Sequence, residues 1–125
     1  MIGEANEKFL LTFFQEKIDK DLELAKDKYC VVDYVSLNTL VELKSRRNAY
    51  RQYPDTMVGM NKIKYMLNDR RKCYCVFSFI DGLFAIEITE DAVKKFRVAD
   101  GGRRDRGRDE TRAYYYIPID MLYSL

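Results

Sequence analysis

The chain contains no histidine in 125 residues. That absence excludes histidine general bases, Cys/His zinc sites and Ser-His-Asp triads. Cysteine is scarce: Cys30, Cys73 and Cys75. An odd number without a secretory leader reads as reduced thiols in a cytoplasmic setting. Cys73 and Cys75 stand two apart in an apolar run, so on a strand they share a face as small core residues, and their spacing is wrong for a zinc knuckle. No apolar run is long enough for a membrane span, and "MIGEANEKFLL" lacks the pattern of a signal peptide. Nor is one sign of charge in excess. The net charge is +2, so only local clusters, "KSRR", "NDRRK" and "GGRRDRGR", are strongly basic.

What is present suits an ordinary folded chain. Hydrophobic residues make up 47% and charged residues 34%, values that exclude a disordered or fibrous class. The length fits one domain spanning 1–125. Residues 4–19 read as a helix, with Phe9, Leu10, Phe13, Phe14 and Ile18 at helical spacing and the stripe centred on Leu10, Phe14 and Ile18. Glu7 falls inside that stripe, and a carboxylate on a buried face needs a reason. "DKDLELAKDKY" either extends the helix or forms a connecting loop; no strand is legible in it. "YCVVDYVSL" and "TLVELKS" read as two strands covered on both faces.

Pro54 breaks the chain, and Asp55 or Thr56 is expected to cap a helix through "MVGMNKIKYML". "CYCVFSFI" and "LFAIEIT" flank Asp81-Gly82, a hairpin signal of the type I′ turn. Thr89 caps a short helix. Residues 99–111 form a polar Gly/Arg loop, and "RAYYYIPI" is a last strand, placed at an edge by Pro118. Asp120 starts a short closing helix. The order predicts an α/β fold, a mixed central sheet flanked by helices.

The segment "DYVSLNTLVELKSRR", residues 33–47, sets acids and a lysine among apolar residues. If the connection is the four residues Ser36 to Thr39, Asp33 stands opposite Glu42. If it is the pair Asn38 and Thr39, Asp33 stands opposite Lys44. Either register projects Asp33, Glu42 and Lys44 from one face, beside Val31, Val35, Leu37 and Leu40. Such a desolvated cluster is costly unless compensated. A divalent cation between the carboxylates does so, with the Leu43 carbonyl as a further hard ligand. Lys44 then stabilises charge on a phosphate oxygen or orients an attacking water. The other reading is a cross-strand ion pair on a wet face.

Asp33 followed by Glu42-Leu43-Lys44 resembles the PD-(D/E)XK nuclease superfamily, with Val32 where that motif has proline. "VELKSRR" is similar to the corresponding strand of archaeal Holliday-junction resolvases and small viral or phage nucleases. The resemblance covers roughly residues 4–80. It implies a restriction-endonuclease-like fold, Asp33 and Glu42 as ligands of Mg²⁺ or Mn²⁺, and Lys44 as the catalytic lysine. It also implies an acid from the first helix; Glu7 matches that place best, ahead of Glu16 and Glu23. A polar residue from the second helix is implied too, Lys62 or Tyr65. The implied partner is DNA, branched or otherwise structured, cut by a homodimer as in relatives that act on branched DNA. The implied location is the cytoplasm, that of a host cell for a viral chain.

"KSRR" continues through Tyr50, Arg51 and Tyr53, so Arg46 and Arg47 are candidate phosphate contacts beside the metal. Arg103, Arg104, Arg106 and Arg108 form either a phosphate clamp or, with Asp105 and Asp109, a solvated loop. Tyr114, Tyr115 and Tyr116 read as packing residues rather than stacking platforms. Two further functions compete with the nuclease. One is a nucleic-acid-binding or protein-interaction module on the same scaffold without turnover. The other is a structural accessory protein in which Asp33 and Lys44 simply pair.

Overall fold

A computed structural model describes residues 4–25, 32–101 and 112–125. Helix α1 spans Glu4–Lys17, with Lys17 in its last turn, where a cation suits the helix dipole. Leu10 and Phe14 are buried from it, and Ile18 packs against the same cluster just beyond its end. The helix stops short of residue 19 because Asp19 is taken by the chain that follows. Its carboxylate accepts from Ser36 Oγ (2.6 Å), Thr39 Oγ1 (2.7 Å) and the Asp21 amide (2.9 Å).

Among the described residues the main sheet has six strands in the order β1-β2-β3-β5-β6-β9. They are β1 (Glu23–Leu24), β2 (Tyr34–Val35), β3 (Thr39–Ser45), β5 (Lys72–Phe79), β6 (Gly82–Glu87) and β9 (Tyr123–Ser124). Strand β3 runs parallel to β5, with Glu42 beside Cys75, and the other pairs are antiparallel, so the sheet is mixed. The segment with no legible strand supplies β1, two residues whose place is set by pairing with β2. Tyr34 pairs with Val41 and Val35 with Leu40, and the Ser36 amide donates to the Thr39 carbonyl at 2.8 Å. The four-residue connection is therefore the one that forms.

The β5–β6 hairpin forms one residue off the expected turn. Phe79 pairs with Gly82, which makes Ile80 and Asp81 the turn residues. Among the described residues only Gly82 has positive φ, at 154°. The turn is thus not type I′, which needs positive φ at both central positions.

The chain after Pro54 corrects a second expectation. Asp55–Gly59 is strand β4, and helix α2 covers only Met60–Leu67. Thr56 and Val58 are buried while Met57 is exposed, the two-residue period of a strand. The pairing partner decides it: β4 lies against β8 (Arg112–Pro118), which also pairs with β7 (Arg97–Gly101). In this second sheet β8 is the middle strand, not an edge. Pro118 is tolerated because it is the last residue of the strand, opposite Asp55. Strand β7 also takes up the start of the expected Gly/Arg loop; residues 102–111 lie outside the described residues. Between the sheets' strands sit α3 (Glu90–Val93), capped by Thr89 accepting from the Ala92 amide at 3.1 Å, and a short 3-10 turn at Ile119–Met121.

Side chains alternate off β3 and β5 into two cores. Leu40, Cys73, Cys75 and Phe77 join Ile63 and Met66 of α2 and Val58 and Ile117 of the second sheet. Val41 and Val76 join Tyr34 and the Leu10 and Phe14 side chains of α1. Cys73 and Cys75 are buried free thiols, pushed up to about 11 and about 12 by burial.

One surface clip makes the stability pH-dependent. Arg71 holds both carboxylate oxygens of Asp69 at 2.9 Å, where α2 hands over to β5. Those hydrogen bonds lower Asp69 from 3.8 to about 2. A depressed carboxylate contributes stability above its unfolded value, and that contribution is lost as the pH falls through the folded value. The thermal midpoint is expected to drop between pH 4 and pH 2, and Asp69→Asn to flatten that part of the curve. Melting curves of both proteins across that range check it.

Candidate active site

Glu42 is a charged residue in the middle of a two-sided strand, and only 3% of its surface is exposed. Alternation points it to the α2 side of the sheet, along with Lys44. Two ammonium groups meet it there. Lys44 Nζ lies 3.4 Å from Oε1, and Lys62 Nζ, from the first turn of α2, lies 3.2 Å from Oε2. Burial raises the Glu42 carboxyl above its ordinary value, and the nearby Asp33 charge raises it further; the two lysines oppose both effects.

Asp33 reaches this group from the edge of β3. Continuing the hairpin ladder would set it squarely opposite Glu42, but its amide donates instead to the Val41 carbonyl at 3.0 Å. The ladder ends in a kink there, and the exposed Asp33 carboxylate accepts from the Leu43 amide at 2.8 Å. Amide and carbonyl of one strand residue point to the same edge. The Leu43 carbonyl therefore faces out past the end of β2 on the Asp33 side, while the Leu43 side chain packs on the α1 core.

The lysines open onto a cleft of about 460 Å³ lined by Lys44, Gly59, Met60, Asn61, Lys62, Ala113 and Tyr114. Their side chains are 32% and 30% exposed. The cleft is the space between the end of β3, the start of α2 and strand β8. Gly59 caps α2 without a side-chain hydrogen bond.

A family model described as "Phage putative PDDEXK endonuclease" matches residues 3–122. The chain belongs to that family. It is a phage protein of the PD-(D/E)XK superfamily, its α/β architecture is the restriction-endonuclease-like one, and membership points to nuclease activity. The match runs well beyond residue 80, so β6, β7 and β8 lie inside the family's architecture. The chain matches no curated protein.

The donor set suits the hard cations that PD-(D/E)XK nucleases generally use. Among the described residues no group of three or more His, Cys, Asp and Glu side chains gathers. Mg²⁺ does not need one: one or two carboxylates plus substrate oxygens hold it. Asp33 and Glu42 are the carboxylates that could hold it, with the Leu43 carbonyl as a further oxygen, and a dication would relieve the repulsion between the two acids.

The remaining candidates are dispersed. Glu7 lies on α1, across the sheet from Glu42, but its side chain is outside the described residues, as are Arg103 and Arg104. Arg46 is turned inward. Its guanidinium donates to Thr56 Oγ1 (3.1 Å), the Met57 carbonyl and the Ser45 carbonyl and lies over Phe77, so it ties β3 to β4. Arg47 is exposed. Tyr50 packs: its ring stacks on Phe84 at 3.7 Å and its hydroxyl donates to the Ile119 carbonyl. Residue spacing gave no sign of Gly59, Asn61 or Tyr114 as cleft residues, because they meet only through the second sheet.

Proposed function

We propose that this phage protein is a divalent-cation-dependent nuclease that hydrolyses DNA phosphodiester bonds, with the whole chain acting as one domain. One observation carries the reading: a buried carboxylate, Glu42, feels the charge of a second acid, Asp33, and its two lysine partners open onto a cleft. Asp33, Glu42 and the Leu43 carbonyl would hold Mg²⁺ or Mn²⁺. When bound, the cation supplies Lewis acidity at the phosphate and lowers the pKa of an attacking water. Lys44, anchored on Glu42 and a third exposed, places a fixed positive charge where a phosphate oxygen enters the cleft. Lys62 does the same from α2, which makes it a nucleic-acid contact as well as a partner of Glu42. The Leu43 amide orients Asp33, so the two acids come from one strand pair with little freedom to drift.

The substrate extends to branched or structured DNA in the host cytoplasm, and two strands to cut call for two sites, hence a homodimer. No helix among the described residues is long and apolar enough to cross a membrane.

One observation favours a second reading. Both oxygens of Glu42 already have ammonium partners, so the buried charge is compensated without a cation, as in a binding module that keeps the scaffold. Calorimetry separates the two. Mn²⁺ is expected to bind the wild type and to lose that binding in Glu42→Gln; a wild type that binds no Mn²⁺ favours the binding module. In parallel, supercoiled, branched and single-stranded DNA are incubated with Mg²⁺ or Mn²⁺. Cleavage is expected in the wild type and none in the Asp33→Ala/Lys44→Ala double variant; cleavage that survives the double variant refutes the assignment.

A further inference from the structure

We infer that Tyr114 is a platform on which an unpaired nucleobase stacks beside the bound phosphate, so that the preferred DNA carries an unpaired nucleotide at the site. The inference rests on the nuclease reading for the phosphate's place in the cleft.

The three tyrosines of β8 are not equivalent. Tyr115 faces the core with Ile117, its ring against Phe96 at 5.9 Å. Tyr114 and Tyr116 face the other way. The Tyr116 ring is covered by the Arg97 guanidinium at 4.2 Å, and Arg97 is itself tied to Asp55. Tyr114 instead lines the cleft, and its two cross-strand neighbours are Gly59 and Ala99, which leave the sheet bare around it.

Gly59 is the informative neighbour. Its φ of −59° and ψ of 136° are open to any L-residue. A Cβ built there would meet nothing within 4 Å. Neither backbone nor packing requires glycine, so what its bare Cα provides is room on the cleft floor in front of the Tyr114 strand. Among the described residues the lining of that room carries two cations, Lys44 and Lys62, and no acid. A ligand matching an aromatic ring, an open floor and two ammonium groups is flat at one end and anionic at the other. A nucleotide is both, and a cleft of about 460 Å³ has room for one. A base inside a duplex is stacked on its neighbours and does not present its face to a side chain, whereas an unpaired base does.

The test is binding of the intact protein, in Ca²⁺, to a fluorescein-labelled oligothymidylate and to a blunt duplex of equal length, read by anisotropy. The wild type is expected to bind the single strand more tightly. Tyr114→Ala is expected to weaken the single strand by about tenfold, the scale of losing one base–aromatic stack, with duplex affinity unchanged. Tyr114→Phe keeps wild-type affinity. Gly59→Val keeps a cooperative unfolding transition and shows the same selective loss. No preference for the single strand in the wild type, no binding of either probe, or an unchanged single-strand affinity in Tyr114→Ala overturns the inference. The cleavage assay in Mn²⁺ separates it from its premise. A wild type that cuts no DNA yet shows the selective binding loss removes the nuclease and keeps the platform. A wild type that cuts while Tyr114→Ala matches it on both probes keeps the nuclease and removes the platform.

Discussion

Glu42→Gln is expected to abolish DNA cleavage while leaving the fold as stable as before or more so. The catalytic part follows from charge. The carboxylate anchors Lys44 and Lys62 and offers the hard oxygen at the buried end of the donor set. An uncharged amide does neither well, and losing a preorganised electrostatic group of this kind costs roughly 10²–10³ in rate or more. The stability part follows from burial. Glu42 is a desolvated anion whose carboxyl is already raised by that desolvation and by Asp33. The lysines that lose their partner are 32% and 30% exposed and can rehydrate, so no buried charge is stranded. The opposite deletion differs. Lys62→Met leaves Glu42 buried with one ammonium fewer, and breaking a buried pair from that side destabilises. Single-turnover cleavage and melting curves on both variants check this. Glu42→Gln cleaving within tenfold of wild type, or melting well below Lys62→Met, would contradict it.

The second large effect is on stability alone. Phe14→Ala is expected to cost about 3–5 kcal/mol, a large part of the 5–15 kcal/mol typical of a domain. The Phe14 ring is fully buried and stands edge-on to Tyr34 at 5.0 Å and 88°, in the cluster that fastens α1 to Val41 and Val76. Tyr34 adjoins Asp33, so a cavity there also loosens the acid at the edge of β3. Phe9, on the same helix but 73% exposed, is the control; Phe9→Ala is expected within about 0.5 kcal/mol of wild type. Urea unfolding measures both, and a Phe9 cost equal to that of Phe14 would show that α1 docks on a different face.

The central strand and its acid were legible in the sequence for physical reasons. "TLVELKS" is β3 to the residue, because β-branched and aliphatic side chains on both faces leave a covered strand as the best state. The pairing of Tyr34 with Val41 followed from one of the two short connections open to the hairpin, a local constraint; that the ladder stops before Asp33 did not. The helix stripe through Leu10 and Phe14 followed from periodicity.

What was not legible depended on distant partners. Strand β4 reads as helix because "MVGMNKIKYML" is rich in helix formers; only pairing with β8 overrides that preference. Pro118 looked like an edge marker, but position at a strand's end serves equally well. The clamp of Lys62 on Glu42 spans a parallel crossover, which no spacing rule encodes, and only the family resemblance pointed at that helix. Arg46 looked like a phosphate contact by its basic neighbours. In the folded chain it faces inward, because a carbonyl and a hydroxyl of β4 lie within its reach.

The most direct measurement is anomalous diffraction from crystals grown with Mn²⁺. A peak coordinated by the carboxylates of Asp33 and Glu42 and the carbonyl of Leu43, with Lys44 and Lys62 drawn back toward the cleft, is the predicted result. An ordered Glu42 still bridging both ammonium groups, with no manganese peak beside it at saturating concentration, would contradict the account.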